Sequence, residues 1–253
     1  MTSTEYYPPN FPPGLLAVPA TEWMWTRSVS SLIGVISGLP PGSGVEINQQ
    51  GSAASNRNGL IEHFLAVPFL EWILFIDSDM TPEPATIPRL LSRDVDIVGA
   101  LYYSRNGTYE PLYGDLTDER VETSPTGLRK VAWVGTGCLM VKRRVLEAMK
   151  PPYMEFLAPG QAEDVYFCTK ARKLGFAVHL DTALCVGHMA AAPIDQEAAT
   201  LYQQLARIQA LRNAEAERKR PEHELMGRRL EEVSRTFDEN GVRVEQPTIP
   251  QGQ

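Results

Sequence analysis

Cysteine, basic charge and long apolar runs are all in short supply in this chain. The three cysteines (Cys138, Cys168 and Cys185) are an odd number with no C-x-x-C spacing, which argues against both a disulfide framework and a thiolate metal site. All three lie in apolar surroundings and read as buried thiols of a reducing, cytoplasmic compartment. No apolar segment approaches the ~18–20 residues of a membrane span. The first residues, MTSTEYYPPNFPPG, lack a basic stretch followed by an apolar run and do not read as a signal peptide. The formal charge of −7 leaves no broad basic surface for nucleic acid. An acidic chain can still bind an anionic ligand if it supplies a divalent cation.

What is present is an ordinary globular composition, 43% apolar and 22% charged, in 253 residues, enough for one large domain or one domain with an appendage. Residues 1–14, rich in Pro and Tyr, read as an arm. Short apolar runs at 15–18 and 44–47 predict strands, and residues 23–36 and 58–67 predict helices. Trp72 to Ile76 is a run of five apolar residues, the pattern of a strand buried on both faces of a parallel sheet. Prolines 82, 84 and 88 open a helix through residue 91, and residues 96–101 predict another buried strand. Residues 103–130, rich in Gly, Pro, Thr and charge, predict a long loop or hairpin region of the kind that carries function on α/β scaffolds. An apolar stretch at 131–141 holds Gly135 and Gly137, and a short helix at 143–149 stops at Pro151-Pro152. An amphipathic helix at 163–174 closes at Gly175, and strands at 176–180 and 183–188 follow. Composition shifts after residue 194. Leu201, Leu205, Ile208 and Leu211 stripe one helix, and a second charged helix follows Pro221. The whole predicts an α/β catalytic domain at 15–194, a helical extension at 195–240 and a flexible tail at 241–253.

Four clusters carry candidate chemistry. Asp77-Ser78-Asp79 ends the most buried strand at its carboxyl end, where ligands bind in open α/β sheets. Two ionised carboxylates there call for a cation or for hydrogen-bond donors, and a hard divalent ion suits them. The plain structural reading is a strand-to-loop turn. Glu163-Asp164 opens a helix, as acids do for dipole reasons alone, or holds a carboxylate as a general base. His188 follows a strand. A lone histidine is more often structural, but imidazole with carboxylate oxygen makes a reasonable manganese set. Arg57, in Asn56-Arg57-Asn58-Gly59 before a helix, is either a solvated loop residue or a phosphate contact.

In their order along the chain these segments resemble the inverting family-two glycosyltransferases of the GT-A fold. The resemblance covers roughly residues 15 to 190. Arg57-Asn58-Gly59 is similar to that family's Arg-Asn-x-Gly-like helix start, and ILFIDSDM to its apolar strand ending in D-x-D. EDVYFCTKARKLGFAV at 163–178 looks like its E-D helix ending in R-x-x-G, here Arg172 and Gly175-Phe176. A histidine about twenty-four residues after the acid pair fits its late metal ligand. In place of the common P-x-Y-N after the first strand stands Pro19-Ala20-Thr21-Glu22-Trp23, and Glu46-Ile47-Asn48 stands loosely for the Asp that follows the second.

The resemblance implies a GT-A, nucleotide-diphospho-sugar-transferase fold: a mixed, mainly parallel Rossmann-like sheet flanked by helices. It implies a nucleoside diphosphate sugar donor, UDP- favoured over GDP-, and an acceptor hydroxyl. Asp79 and His188 would hold Mn2+ or Mg2+. Asp77 would touch the ribose or support the metal. Pro19, Ala20, Glu22, Ser78 and Arg57 would line the nucleotide-sugar side, Arg57 by neutralising phosphate charge. Asp164 would be the base and Glu163 would orient the acceptor or the helix start. Trp133, Gly135 and Gly137 would line the acceptor side. The rival readings are a haloacid dehalogenase-like phosphohydrolase, since Asp77-Ser78-Asp79-Met80-Thr81 satisfies D-x-D-x-T, and a non-catalytic sugar-nucleotide-binding module. The C-terminal helical stripe would pack on its own domain or pair two copies into a homo-oligomer.

Overall fold

The computed structural model describes residues 11–105, 109–116, 127–156 and 162–190, with 200, 204, 207, 208 and 211 beyond them. The chain divides into two units, Met1–Asp195 and Gln196–Gln253. In the second, the five described residues are all helical, and the helix read after Pro221 and the tail from 241 lie outside the described residues. Among the described residues no helix is long and apolar enough to cross a membrane.

The first unit is built around one seven-stranded sheet. Its strands are β1 (Gly14–Pro19), β2 (Gly44–Asn48), β3 (Trp72–Ile76), β5 (Ile97–Leu101), β7 (Leu128–Val131), β9 (Cys138–Lys142) and β10 (Val178–Cys185), in the order β2-β1-β3-β9-β5-β10-β7. β1 runs parallel to β2 and β3, and β5 parallel to β10, while β9 is antiparallel to both β3 and β5 and β7 is antiparallel to β10. Short pairs complete the architecture: β4 (Met80–Thr81) with β11 (Gly187–His188), and β6 (Tyr113–Gly114) with β8 (Trp133–Val134).

Alternation along the central strands sorts side chains onto two faces. Ile73 and Phe75 join one core cluster with Leu60, Ile61 and Phe64 of α2 (Ala53–Ala66), Val145 and Leu146 of α4 (Arg143–Glu147) and Phe167 and Ala171 of α5 (Glu163–Lys173). Trp72, Leu74 and Ile76 join the other, with Leu32 and Val35 of α1 (Thr26–Ile36) and Ile87 and Leu90 of α3 (Thr86–Ser92). The sheet is thus covered on both faces, which is why β3 reads as a continuous apolar run. Each of these large side chains contributes about 1.5–3 kcal/mol of burial. The Trp72 indole also needs a neighbour without a side chain. A Cβ on Gly14 would fall 2.1 Å from its ring, and its Nε1 donates to the Pro12 carbonyl at 2.8 Å.

Some boundaries, and the burial of one cysteine, differ from those read in the sequence. α2 starts at Ala53, not at residue 58, because Ser52 caps it by accepting from the Ser55 N–H. The first turns, Ala-Ala-Ser-Asn, carry no apolar periodicity to betray the helix. Residues 176–188 hold one eight-residue strand, Val178–Cys185, and a two-residue one, Gly187–His188, not strands at 176–180 and 183–188. Asp181, which falls between those two runs, is a fully buried carboxylate of β10 paired with Arg89 of α3 and with Arg93 just after that helix. Cys185, read as buried, is exposed, whereas burial holds Cys138 and Cys168 and pushes both thiols up to about 12.

Candidate functional site

Because β9 is antiparallel, its start lies at the carboxyl edge of β3, and Ile76 pairs with Cys138. The Asp77 N–H donates to the Gly137 carbonyl at 3.0 Å. This brings Asp77-Ser78-Asp79, the Gly135–Gly137 turn, the end of β1 and the residues after β5 to one edge of the sheet. That edge is where open α/β sheets bind ligands.

Arg57 sits in the second turn of α2 and is 2% exposed, so it is not a solvated loop residue. Its guanidinium donates through Nη2 to Asp77 Oδ1 at 2.5 Å and through Nη1 to Glu163 Oε1 at 2.7 Å. One buried cation therefore ties α2, the end of β3 and the start of α5 together. Burial pushes the Asp77 carboxyl up, and Arg57 pulls it part of the way back. With both Nη atoms committed to carboxylates, Arg57 is placed to hold those acids, not to meet a phosphate.

Asp79 faces the other way. β4 continues directly from the D-x-D turn and pairs with β11, aligning Met80 with His188, and the Met189 N–H donates to the Asp79 carbonyl at 2.8 Å. His188 Nε2 comes to 3.5 Å from Asp79 Oδ2. The Tyr103 carbonyl lies 2.8 Å from His188 Nδ1 and accepts its proton, which in the neutral ring turns the Nε2 lone pair toward Asp79. An imidazole nitrogen and a carboxylate oxygen bound to one ion at ~2.1 Å each lie ~3.0–3.4 Å apart, so the pair fits a shared divalent ion. No third His, Cys, Asp or Glu joins them into a larger metal-holding group among the described residues. Burial opposes the charge on both groups. Their mutual contact outweighs it, raising His188 and, with Arg105, lowering Asp79.

Asp164 lies in the first turn of α5, where its Oδ1 accepts from the Val165 N–H at 2.7 Å. Burial pushes it up to about 6, the backbone hydrogen bond lowering it and the neighbouring Glu163 raising it further. A half-buried carboxylate poised near neutrality has the properties of a general base.

The remaining sequence candidates are placed as follows. Pro19 ends β1. The Ala20 N–H donates to the Asn48 carbonyl at 2.9 Å, and the Ala20 carbonyl accepts from Asn56 Nδ2 at 3.2 Å, so the ends of β1 and β2 and the start of α2 are laced together. Glu22 is exposed and Ser78 half-buried. Trp133, half-buried, packs on the core and over Gly114. Gly135 and Gly137 pack against Tyr102. A Cβ on Gly135 would fall 2.1 Å from the Tyr102 hydroxyl oxygen, which accepts from the Gly137 N–H at 2.9 Å. The Tyr102 ring in turn meets the His188 ring edge-to-face at 5.6 Å.

Residues that sequence reasoning missed are Tyr102, Tyr103 and Arg105, which follow β5, while Asn58 was quoted within the Arg57-Asn58-Gly59 motif without a role of its own. Arg105 reaches the Asp79 carboxylate. Asn58 Oδ1 accepts from the Tyr153 and Met154 N–H groups, each at 3.0 Å, and so fixes the loop that follows α4. The Tyr102-Tyr103 doublet at the end of a buried strand was the one local signal. Nothing local marked Arg105.

No protein-family model matches this chain, and no curated protein does. Solved structures do. A197 from STIV superimposes with a TM-score of 0.55 at 18% identity, over 70% of this chain and 86% of that one. GalNAc-T7, solved with UDP, GalNAc and Mn2+, gives a TM-score of 0.46 at 9% identity over 73% of this chain, which spans 45% of that protein. The catalytic domain of Drosophila beta1,4galactosyltransferase 7, in complex with xylobiose, gives 0.42 at 15% identity, over 70% of this chain and 71% of that one. At these identities the likeness is one of fold. The mixed, mostly parallel sheet flanked by helices is a GT-A glycosyltransferase-like fold.

Proposed function

We propose that this protein is a metal-dependent glycosyltransferase. It would move a sugar from a nucleoside diphosphate sugar, UDP- in preference to GDP-, to an acceptor hydroxyl with inversion. The observation that carries the reading is the division of labour among the acids at the carboxyl edge of β3. Asp77 and Glu163 are spent on the buried Arg57, Asp79 is turned to His188, and Asp164 is left with its pKa raised to about 6.

Asp79 and His188 would hold Mn2+ or Mg2+. Bound there, the ion supplies positive charge against the leaving diphosphate. Arg57 fixes the D-x-D turn to the start of α5, so that acids from two distant segments keep their spacing. Asp164 takes the proton from the acceptor hydroxyl. The hydroxyl oxygen then bonds to the anomeric carbon as that carbon's bond to the diphosphate oxygen breaks, and a single displacement of this kind inverts the centre. Pro19, Ala20 and Ser78 border the nucleotide side, and Gly135 and Gly137 keep Tyr102 seated against His188. The exposed Cys185 thiol suits a reducing, cytoplasmic compartment.

The phosphohydrolase alternative needs Asp77 as nucleophile. A carboxylate oxygen held 2.5 Å from a buried guanidinium is a poor one, and the fold is GT-A-like. Loss of Asp79 tests the proposal. Asp79→Ala is expected to lower Mn2+-dependent release of nucleoside diphosphate from the preferred donor by at least about 100-fold. Release that survives this substitution unchanged contradicts the assignment of Asp79 as a metal ligand.

A further inference from the structure

Two residues after β5 act on the Asp79–His188 pair from one short stretch of backbone. The Tyr103 carbonyl fixes the His188 ring, and the Arg105 guanidinium contacts Asp79 through Nη1, which also lies 3.5 Å from the Met189 carbonyl. Arg105 and His188 approach the same carboxylate oxygen, Oδ2. It is the Asp79 oxygen nearest His188 Nε2, and so the one a divalent ion shared by the pair in this geometry would take. A divalent ion bound to that oxygen repels a guanidinium held against it, so the two cations compete for Asp79. We propose that Arg105 is a placeholder cation that neutralises Asp79 in the metal-free site, is displaced by the metal, and then binds the diphosphate of the donor. The inference rests on the reading of Asp79 and His188 as metal ligands.

Arg57, the arginine that the sequence offers for phosphate, cannot fill this role, being 2% exposed with both Nη atoms committed. Arg105 is 45% exposed, so its side chain can swing at little packing cost. Its planar fork of donors matches two phosphate oxygens at once, which an ammonium does not. Exchange also keeps the charge balanced. The metal brings two positive charges to Asp79, and the diphosphate that accompanies it brings the negative charge that receives the released guanidinium.

The test compares wild-type protein with Arg105→Ala and Arg105→Lys in two titrations. One adds Mn2+ alone, and the other adds UDP at saturating Mn2+, with GDP as a second probe. Arg105→Ala is expected to bind Mn2+ alone about fivefold more tightly, since a competing ion pair is removed. It is expected to bind UDP about tenfold more weakly, since a charge-assisted contact is lost. Arg105→Lys falls between wild type and Arg105→Ala in both titrations. The opposite signs are the signature, because a damaged fold weakens both. Unchanged or weakened Mn2+ binding in Arg105→Ala, or unchanged UDP binding, overturns the inference. Wild-type protein that takes up no Mn2+ with or without UDP overturns the underlying metal reading, a separate and recognisable result.

Discussion

Asp164→Asn is expected to lower glycosyl transfer by about 10²–10⁴-fold, the range of a lost general base, while making the protein harder to unfold at neutral pH. Both effects come from one cause. Burial pushes the folded-state pKa up to about 6, from an ordinary value of 3.8. Between those two values the folded chain binds more protons at Asp164 than the unfolded chain does. Stability therefore falls as pH rises through that window. The contribution is fully present below about 3.8 and gone above about 6. At pH 7.5 the ionised Asp164 costs the fold roughly 2–3 kcal/mol, which the neutral amide avoids while its carbonyl oxygen still accepts from the Val165 N–H. Thermal unfolding checks this. The variant should melt several degrees higher than wild type at pH 7.5, and the gap should shrink at pH 5. Turnover by wild type should climb through pH 6 as the base ionises, and the variant should lack that limb. A variant that is inactive and also less stable at pH 7.5 would point to a structural role for Asp164.

Arg57→Met is expected to destabilise the protein by about 3–5 kcal/mol, the cost of removing one partner from a buried ion pair. Two carboxylates depend on this one guanidinium, and they sit on β3's exit turn and on α5, far apart in the chain. Without it, Asp77 and Glu163 are left as two carboxylates with no cation between them. Asp77, already pushed up by burial, would be driven further toward its neutral form. Denaturant unfolding measures the loss. The triple variant Arg57→Met, Asp77→Asn, Glu163→Gln should recover much of it, since the unpaired charge and not the missing contact is the expensive part. Failure of the triple variant to recover would mean that Arg57 acts chiefly by filling space. A site held by a buried ion triad is costly in stability and exact in geometry, which suits acids that must keep their spacing.

The sequence disclosed the sheet well because its strands are buried on both faces. Unbroken apolar runs at 72–76 and 97–101 admit few other readings. The end of the 72–76 strand was legible for the same reason, since Asp77-Ser78-Asp79 stops the apolar run abruptly, although the same residues also suit a plain turn. Arg57 was singled out, but read as preceding a helix when it lies buried in the second turn of α2. Nothing local shows that the polar residues before it are already helical, or that its partners are an aspartate twenty residues on and a glutamate on another helix. His188 was legible only through its distance from Glu163-Asp164. That β4 and β11 would pair and carry it to Asp79 depends on a long-range register. Arg105 was invisible because its meaning lies wholly in three dimensions. Asp181 lies inside β10, where Arg89 of α3 and Arg93 just after it meet its charge, a pairing that no local pattern announces.

The central claim is that this site releases a nucleoside diphosphate from a sugar donor with the help of a divalent ion. The most direct measurement is nucleoside diphosphate release from UDP-, GDP- and dTDP-sugars with Mn2+, with Mg2+ and with chelator, in the presence of water alone as the default acceptor. The account predicts slow release from one class of donor, with UDP-sugars the first choice, that depends on the metal and stops with chelator. No release and no binding of any nucleotide by folded protein, or release that chelator leaves untouched, would contradict it.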